Sequence, residues 1–167
     1  MYPRTHALEH PDRPAVIMAR SGRVVTYAEL DRRSSQLAQL LRNRGLRPGD
    51  GIAIWVENND RFFELVWAAQ RSGLYYTPIN SRLMVDEARF IIEDCGARAL
   101  VVSSGQRASA SELVDQLPPH VEIRLLLDED PLPGWELYDH AVAHHPSDPI
   151  PDAVSYTHLT LPTICSV

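Results

Sequence analysis

Lysine is absent. All 16 basic side chains of this 167-residue chain are arginine, which excludes any reaction that needs a lysine ammonium from within it. Cysteine is nearly absent: Cys95 and Cys165 stand far apart and fit no CxxC or zinc spacing. Cys95 ends an apolar helical pattern, where a buried or partly buried thiol is expected rather than a reactive one. No run of eighteen apolar residues occurs, and residues 1–12 lack the apolar stretch of a secretion signal. A membrane span is therefore not expected, and the cytoplasm is the expected compartment. The net charge of −6, with no clustered basic face, argues against a nucleic-acid partner.

What remains has the composition of an ordinary globular domain, 44% apolar and 23% charged. Residues 15–18 and 24–26 are β-prone and flank Ser21-Gly22, which predicts a hairpin. Thr26-Tyr27-Ala28-Glu29 has capping-box spacing and opens a helix. That helix sets Leu30, Leu37, Leu40 and Leu41 on one side and Arg32, Arg33, Gln36 and Arg44 on the other, and Gly45 stops it. One unit then recurs. The turn Pro48-Gly49-Asp50 leads into an apolar strand over 51–56. Asn58, Asn59 or Asp60 caps a helix with Phe63, Val66, Trp67 and Gln70 inward, and Gly73 ends it.

Residues 75–79 read as a strand, 85–95 as a helix with Ala88, Ile91, Ile92 and Cys95 on one stripe, and 99–102 as a strand. A short helix over 109–117 precedes a strand over 121–127, and a further helix is predicted over 135–143. Strands alternating with glycine-stopped helices predict an α/β fold, a partial doubly wound, mostly parallel sheet with helices on both faces. Strands that are apolar throughout fit a sheet covered on both sides.

Residues 145–151 form a proline-rich connector. From 154 to 167 no Asp, Glu, Lys or Arg occurs, and Ser155-Tyr156-Thr157-His158-Leu159-Thr160-Leu161-Pro162-Thr163 resembles translated sequencing-adaptor read-through. Residues 1–153 are accordingly expected to be an incomplete N-terminal subdomain, and 154–167 a non-native, disordered tail.

Three segments in register carry a family resemblance. Val25-Thr26-Tyr27-Ala28-Glu29-Leu30 resembles the T-Y-x-E-L opening of the adenylate-forming, AMP-dependent synthetases. Leu46-Arg47-Pro48-Gly49-Asp50 with its following strand resembles their G-D-x-V-A segment. Gln70-Arg71-Ser72-Gly73-Leu74-Tyr75-Tyr76-Thr77-Pro78-Ile79-Asn80 resembles their A-x-x-x-G-A-x-x-x-P-x-N motif. The continuation Asn80-Ser81-Arg82-Leu83 through Glu87 is closer to acyl-CoA synthetases than to peptide-synthetase modules. The resemblance implies a parent enzyme that joins a small-molecule carboxylic acid to ATP, with Mg²⁺, and passes the acyl group from the adenylate to CoA. It also implies a phosphate-holding Ser/Thr/Gly-rich loop ending in Pro-Lys-Gly, and no such string occurs here. The expectation is a truncated piece of a fatty-acid or other carboxylic acid–CoA ligase, inert by itself and requiring no cofactor. A stand-alone α/β domain binding a nucleotide or a protein, and the first segment of a peptide-synthetase adenylation module, are the alternatives.

Ligands approach parallel sheets at the carboxyl ends of the strands, which selects Glu57-Asn58-Asn59, Asn80-Ser81-Arg82 and Ser103-Ser104. Asn58 and Asn59 suit helix caps. Asn80 and Arg82 are the pocket-side candidates, and Arg82 suits either a phosphate in the intact enzyme or a solvated carboxylate. His140 and His144, four apart, lack the further ligands a metal needs. Trp55, Tyr75 and Tyr76 are expected in the core. The apolar face of Phe62, Phe63, Val66 and Trp67 is expected to be partly bare in a fragment and to drive self-association.

Overall fold

The computed structural model describes residues 3–148 and 150. The residues of the 154–167 tail, and with them Cys165, lie outside the described set. A helix α1 (Pro3–Glu9) and an antiparallel hairpin of β1 (Pro14–Ile17) and β2 (Val24–Thr26) lead into α2 (Tyr27–Asn43). Five parallel strands follow: β3 (Gly51–Trp55), β4 (Tyr75–Pro78), β5 (Ala97–Ser103), β6 (Ile123–Leu127) and β7 (Glu136–Leu137). They are interleaved with α3 (Phe62–Arg71), α4 (Val85–Asp94), α5 (Arg107–Leu113) and α6 (Tyr138–Ala143). The spatial order is β4-β3-β5-β6-β7, so the sheet starts in its interior and winds outward both ways.

The continuous apolar character of the strands follows from this layering, because successive side chains point to opposite faces. Ile52 and Ile54 of β3, Val101 of β5 and Leu125 of β6 pack with α2, α3 and α6. Ala53, Trp55, Leu100, Val102 and Leu126 pack with α4 and α5 on the other side. Both layers are closed: Leu37, Leu40, Trp55, Leu65 and Leu100 are all fully buried. Each such side chain contributes about 1.5–3 kcal/mol through its burial.

Helix α2 starts where its capping signal lies. Thr26 Oγ1 accepts from the Glu29 amide at 3.2 Å. Only that half of the capping box forms, because the Glu29 carboxylate turns to Arg33 at 3.0 Å. Gly45, at φ 91°, takes the left-handed conformation that a side chain would strain, and Gly73 and Gly96 close α3 and α4 with the same sign of φ.

Four expectations are corrected. The inner face of α3 is Leu65, Val66, Ala68 and Ala69, with Glu64 and Arg71, so Val66 faces inward as expected, whereas Phe63 is 45% exposed. Two stripes of helical spacing compete on this segment, and the one carrying small alanines lets α3 approach α2 closely. Arg71, buried, donates there to Asp31 at 2.8 Å and to Ser35, while its Nε has no partner among the described residues. Secondly, α5 begins at Arg107, after a 3-10 turn at Ser104–Gln106, so Ser109 lies inside the helix. Thirdly, Glu136–Leu137 is an edge strand, because its backbone completes a ladder with Leu125 and Leu126, and the last helix shortens to six residues. Finally, Tyr75 is 73% exposed, because β4 is the other edge of the sheet and its ring has no facing layer.

Candidate functional site

Strand order reverses between β3 and β5, and the loops leaving their carboxyl ends diverge to opposite faces. Such a switch point leaves a crevice. Here it is a cavity of about 430 Å³, lined by Glu57, Asn59, Asp60 and Arg61 after β3 and by Ser103 and Ser104 after β5. Leu127, Asp128, Glu129 and Asp130 after β6, and Asp139 of α6, complete the wall.

The β3 loop is shaped by Asn59, whose Oδ1 accepts from the amides of Arg61 and Phe62 at 2.9 and 3.0 Å. Asn59 therefore serves the start of α3, while Asn58 is exposed and makes no cap. On the β5 side the buried Ser103 hydroxyl donates to the Glu57 carboxylate. Gly105 allows this approach, since a Cβ there would stand 2.9 Å from Glu57 Oε2. The β6 loop is pinned by Arg107, which donates to Asp128 Oδ2 at 2.8 Å and to the carbonyls of Asp130 and Pro131. Burial opposes ionisation of Asp128, yet Arg107 and the amides of Glu129 and Asp130 hold its carboxyl below the usual range.

Electrostatics decide what this cavity accepts. Six carboxylates and a single guanidinium, Arg61, line it. Arg61 is already engaged, with both oxygens of Asp139 at 2.9 Å and with Glu64 at 3.2 Å. Burial alone would lower its pKa, but Glu64 and Asp139 outweigh that and raise it. Several acids are likewise occupied, Asp128 by Arg107 and Asp60 by Arg23 at 2.9 Å. A nucleoside triphosphate, which needs convergent amides and uncommitted cations, does not fit this lining. Among the described residues no group of His, Cys, Asp or Glu is arranged to hold a metal ion.

The loops holding Glu57 and Ser103 meet in the cavity, and the loop of Asn80 and Arg82 lies beside it without lining it. Asn80 Oδ1 accepts from the Arg82 amide at 3.0 Å, and its carbonyl accepts from Trp55 Nε1 at 3.2 Å. Gln106 Nε2 donates to the Ser81 carbonyl at 3.0 Å and ties this loop to the β5 loop. The Arg82 side chain is exposed. His140 and His144 are both exposed on and after α6. Sequence reasoning missed Arg61, Asp128 and Asp139. No local motif marks them; only the crossing of β6 and α6 back to this end of the sheet brings them together.

Residues 3–160 match the AMP-binding enzyme family. The chain is 29% identical over 150 residues to the fatty acid–[acyl-carrier-protein] ligase ScoC of Streptomyces coeruleorubidus, an alignment covering 90% of this chain and 27% of that protein. It is 38% identical over 87 residues to a feruloyl-CoA synthase of an Amycolatopsis species, covering 52% of this chain and 18% of that one. The solved fatty acyl CoA synthetase of Mycobacterium tuberculosis superposes with a TM-score of 0.71 at 21% identity, over 91% of this chain and 29% of its own, a likeness of fold. The chain thus spans about a quarter or less of the length of these curated relatives. With the hairpin, the capped α2 and the β3–β4 motifs in register, this chain belongs to the AMP-binding enzyme family.

Proposed function

We propose that the chain is the opening segment of an ATP- and Mg²⁺-dependent carboxylic acid–CoA ligase and does not form an acyl-adenylate by itself. The family match over 3–160 supports the first half. The acid-lined cavity carries the second, because its one guanidinium, Arg61, is already paired and is left no capacity to offset charge developing on a transferring phosphoryl group. In the intact enzyme the carboxylate attacks the α-phosphate and the CoA thiol then displaces AMP. The groups that hold the triphosphate come from outside residues 3–148. The relatives named above act on fatty and on aromatic acids, so the acid is taken to be a fatty or aryl one. Residues 1–153 are the incomplete subdomain in this reading, 154–167 are foreign to it, and the setting is cytoplasmic. Among the described residues no helix is long and apolar enough to cross a membrane. Asn80 and Arg82 belong to the rim that downstream sequence completes.

Purified chain, mixed with ATP, Mg²⁺ and a panel of fatty and aryl acids, should release no acid-dependent pyrophosphate above a heat-denatured control. Titration calorimetry should show no saturable uptake of ATP, AMP or CoA. Acid-dependent pyrophosphate would overturn the inert-segment reading, and stoichiometric nucleotide uptake would favour a self-sufficient binding domain.

A further inference from the structure

The β1–β2 hairpin and the switch-point cavity carry opposite charge and meet at one contact. Residues 13–26 hold Arg13, Arg20 and Arg23 and no Asp or Glu. All three arginines are exposed, and the side chains of Arg13 and Arg20 have no partner among the described residues. Arg23 reaches the cavity wall, its Nε 2.9 Å from Asp60 Oδ2. Ile17 and Val24 stand directly opposite each other on the two strands, 64% and 45% exposed, while Val25 is buried. Neighbours along a strand point to opposite faces, so the Ile17–Val24 face of the hairpin is its outward one. The turn is held by its own backbone bonds, from the Gly22 amide to the Met18 carbonyl at 2.8 Å and from the Met18 amide to the Arg23 carbonyl at 2.9 Å. Arg20 is thereby offered from a fixed frame.

The cavity supplies the other sign. Of its carboxylates, Asp60, Asp128 and Asp139 are paired with Arg23, Arg107 and Arg61. Glu57, Glu129 and Asp130 have no cationic partner among the described residues, and Glu57 is met by the Ser103 hydroxyl. Walls of protein around such a hollow focus its negative potential.

A basic hairpin beside an acidic hollow, joined through Arg23 and Asp60, is a patch complementary to itself. A two-fold axis brings such a patch against its own copy with opposite signs facing. We propose that two copies of this chain associate about such an axis, each seating the Arg20 turn of its hairpin in the acid-lined cavity of the other. Ile17 and Val24 give the contact an apolar centre, and the charges set its register. Because most of those charges are solvated, salt loosens the dimer.

Sedimentation velocity of the 167-residue chain at low ionic strength, up to about 0.3 mM, tests this. A dimer is expected, weakened at least about tenfold when salt rises from about 0.05 to 0.5 M. Arg20→Glu should weaken it at least about tenfold, since a two-fold axis counts the change twice. The pair Glu129→Arg and Asp130→Arg should do the same. Arg42→Glu, an equal charge change at an exposed position of α2, should leave the dimer intact. The decisive measurement mixes the Arg20→Glu chain with the Glu129→Arg, Asp130→Arg chain. Association should return, because each hairpin then faces a cavity of opposite sign. All four altered positions are exposed, and circular dichroism of each variant should match wild type. In wild type, which needs no variant to fold, amide exchange over 18–23 should slow between dilute and concentrated protein. A chain monomeric throughout overturns the proposal. So does association that Arg20→Glu leaves unchanged, a swapped mixture that stays monomeric, or exchange over 18–23 that ignores concentration.

Discussion

Glu64 is buried where a residue of its kind is rarely tolerated without a partner, and its effect on stability has a definite sign. Its carboxyl titrates at about 7 in the folded protein against 4.5 in free chain. Between those values the folded form keeps a proton that the unfolded chain has released, so unfolding becomes easier as pH rises. The contribution is fully present below pH 4.5 and fully lost above about 7. At about 1.4 kcal/mol per pH unit it amounts to about 3 kcal/mol. Urea unfolding at pH 5 and pH 7.5 should therefore show wild type losing up to that much, with Glu64→Gln losing much less. A wild-type stability that rises over this range would contradict the assignment.

At the scale of elements, the best-marked helix is α2. Thr26 holds its first turn by one side-chain bond, at 3.2 Å. Thr26→Ala is expected to cost about 1 kcal/mol, measured as a shift in the urea midpoint with an unchanged slope. The cost should not reach 2 kcal/mol, because Glu29 is already committed to Arg33. The α/β fold was legible because its signals are local: apolar strand runs, capping residues and glycines at helix ends. The face of α3 was not fully so: Val66 turns inward as expected, but only packing against α2 selects Leu65, Ala68 and Ala69 over Phe63. Nor was β7, where two residues become a strand only because β6 lies alongside. The cavity was half legible. The rule that loops at strand ends build it found Glu57, Asn59, Ser103 and Ser104, but Arg61 and the carboxylates of β6 and α6 reach it through tertiary paths.

For the whole molecule, the surface that remains apolar is only in part the one first expected. Phe62 and Val66 pack into the core, Phe63 is half-exposed, and the barest large side chains among the described residues are Leu8, Ile17, Tyr75, Met84 and Phe90. Phe90 lines a shallow recess on α4 with Leu83, Asp86, Glu87 and Ile91, and Met84 is exposed at the start of the same helix. Scattered exposed apolar residues are ordinary, but neighbouring ones promote association. Sedimentation velocity over a hundredfold concentration range should show self-association that the double substitution Met84→Ser and Phe90→Ser reduces. Unchanged sedimentation would mean that this face is inert.

The placement of β3 has a further consequence during synthesis. A nascent chain that has cleared the ribosome only as far as residue 74 carries β3 with neither of its two neighbours, and Trp55, on the face that α4 and α5 later cover, has nothing to pack against. Emergence of β4 covers one edge, but the other stays open until β5 follows some twenty residues later. A pause in translation within that interval would leave an apolar strand edge open to any passing chain.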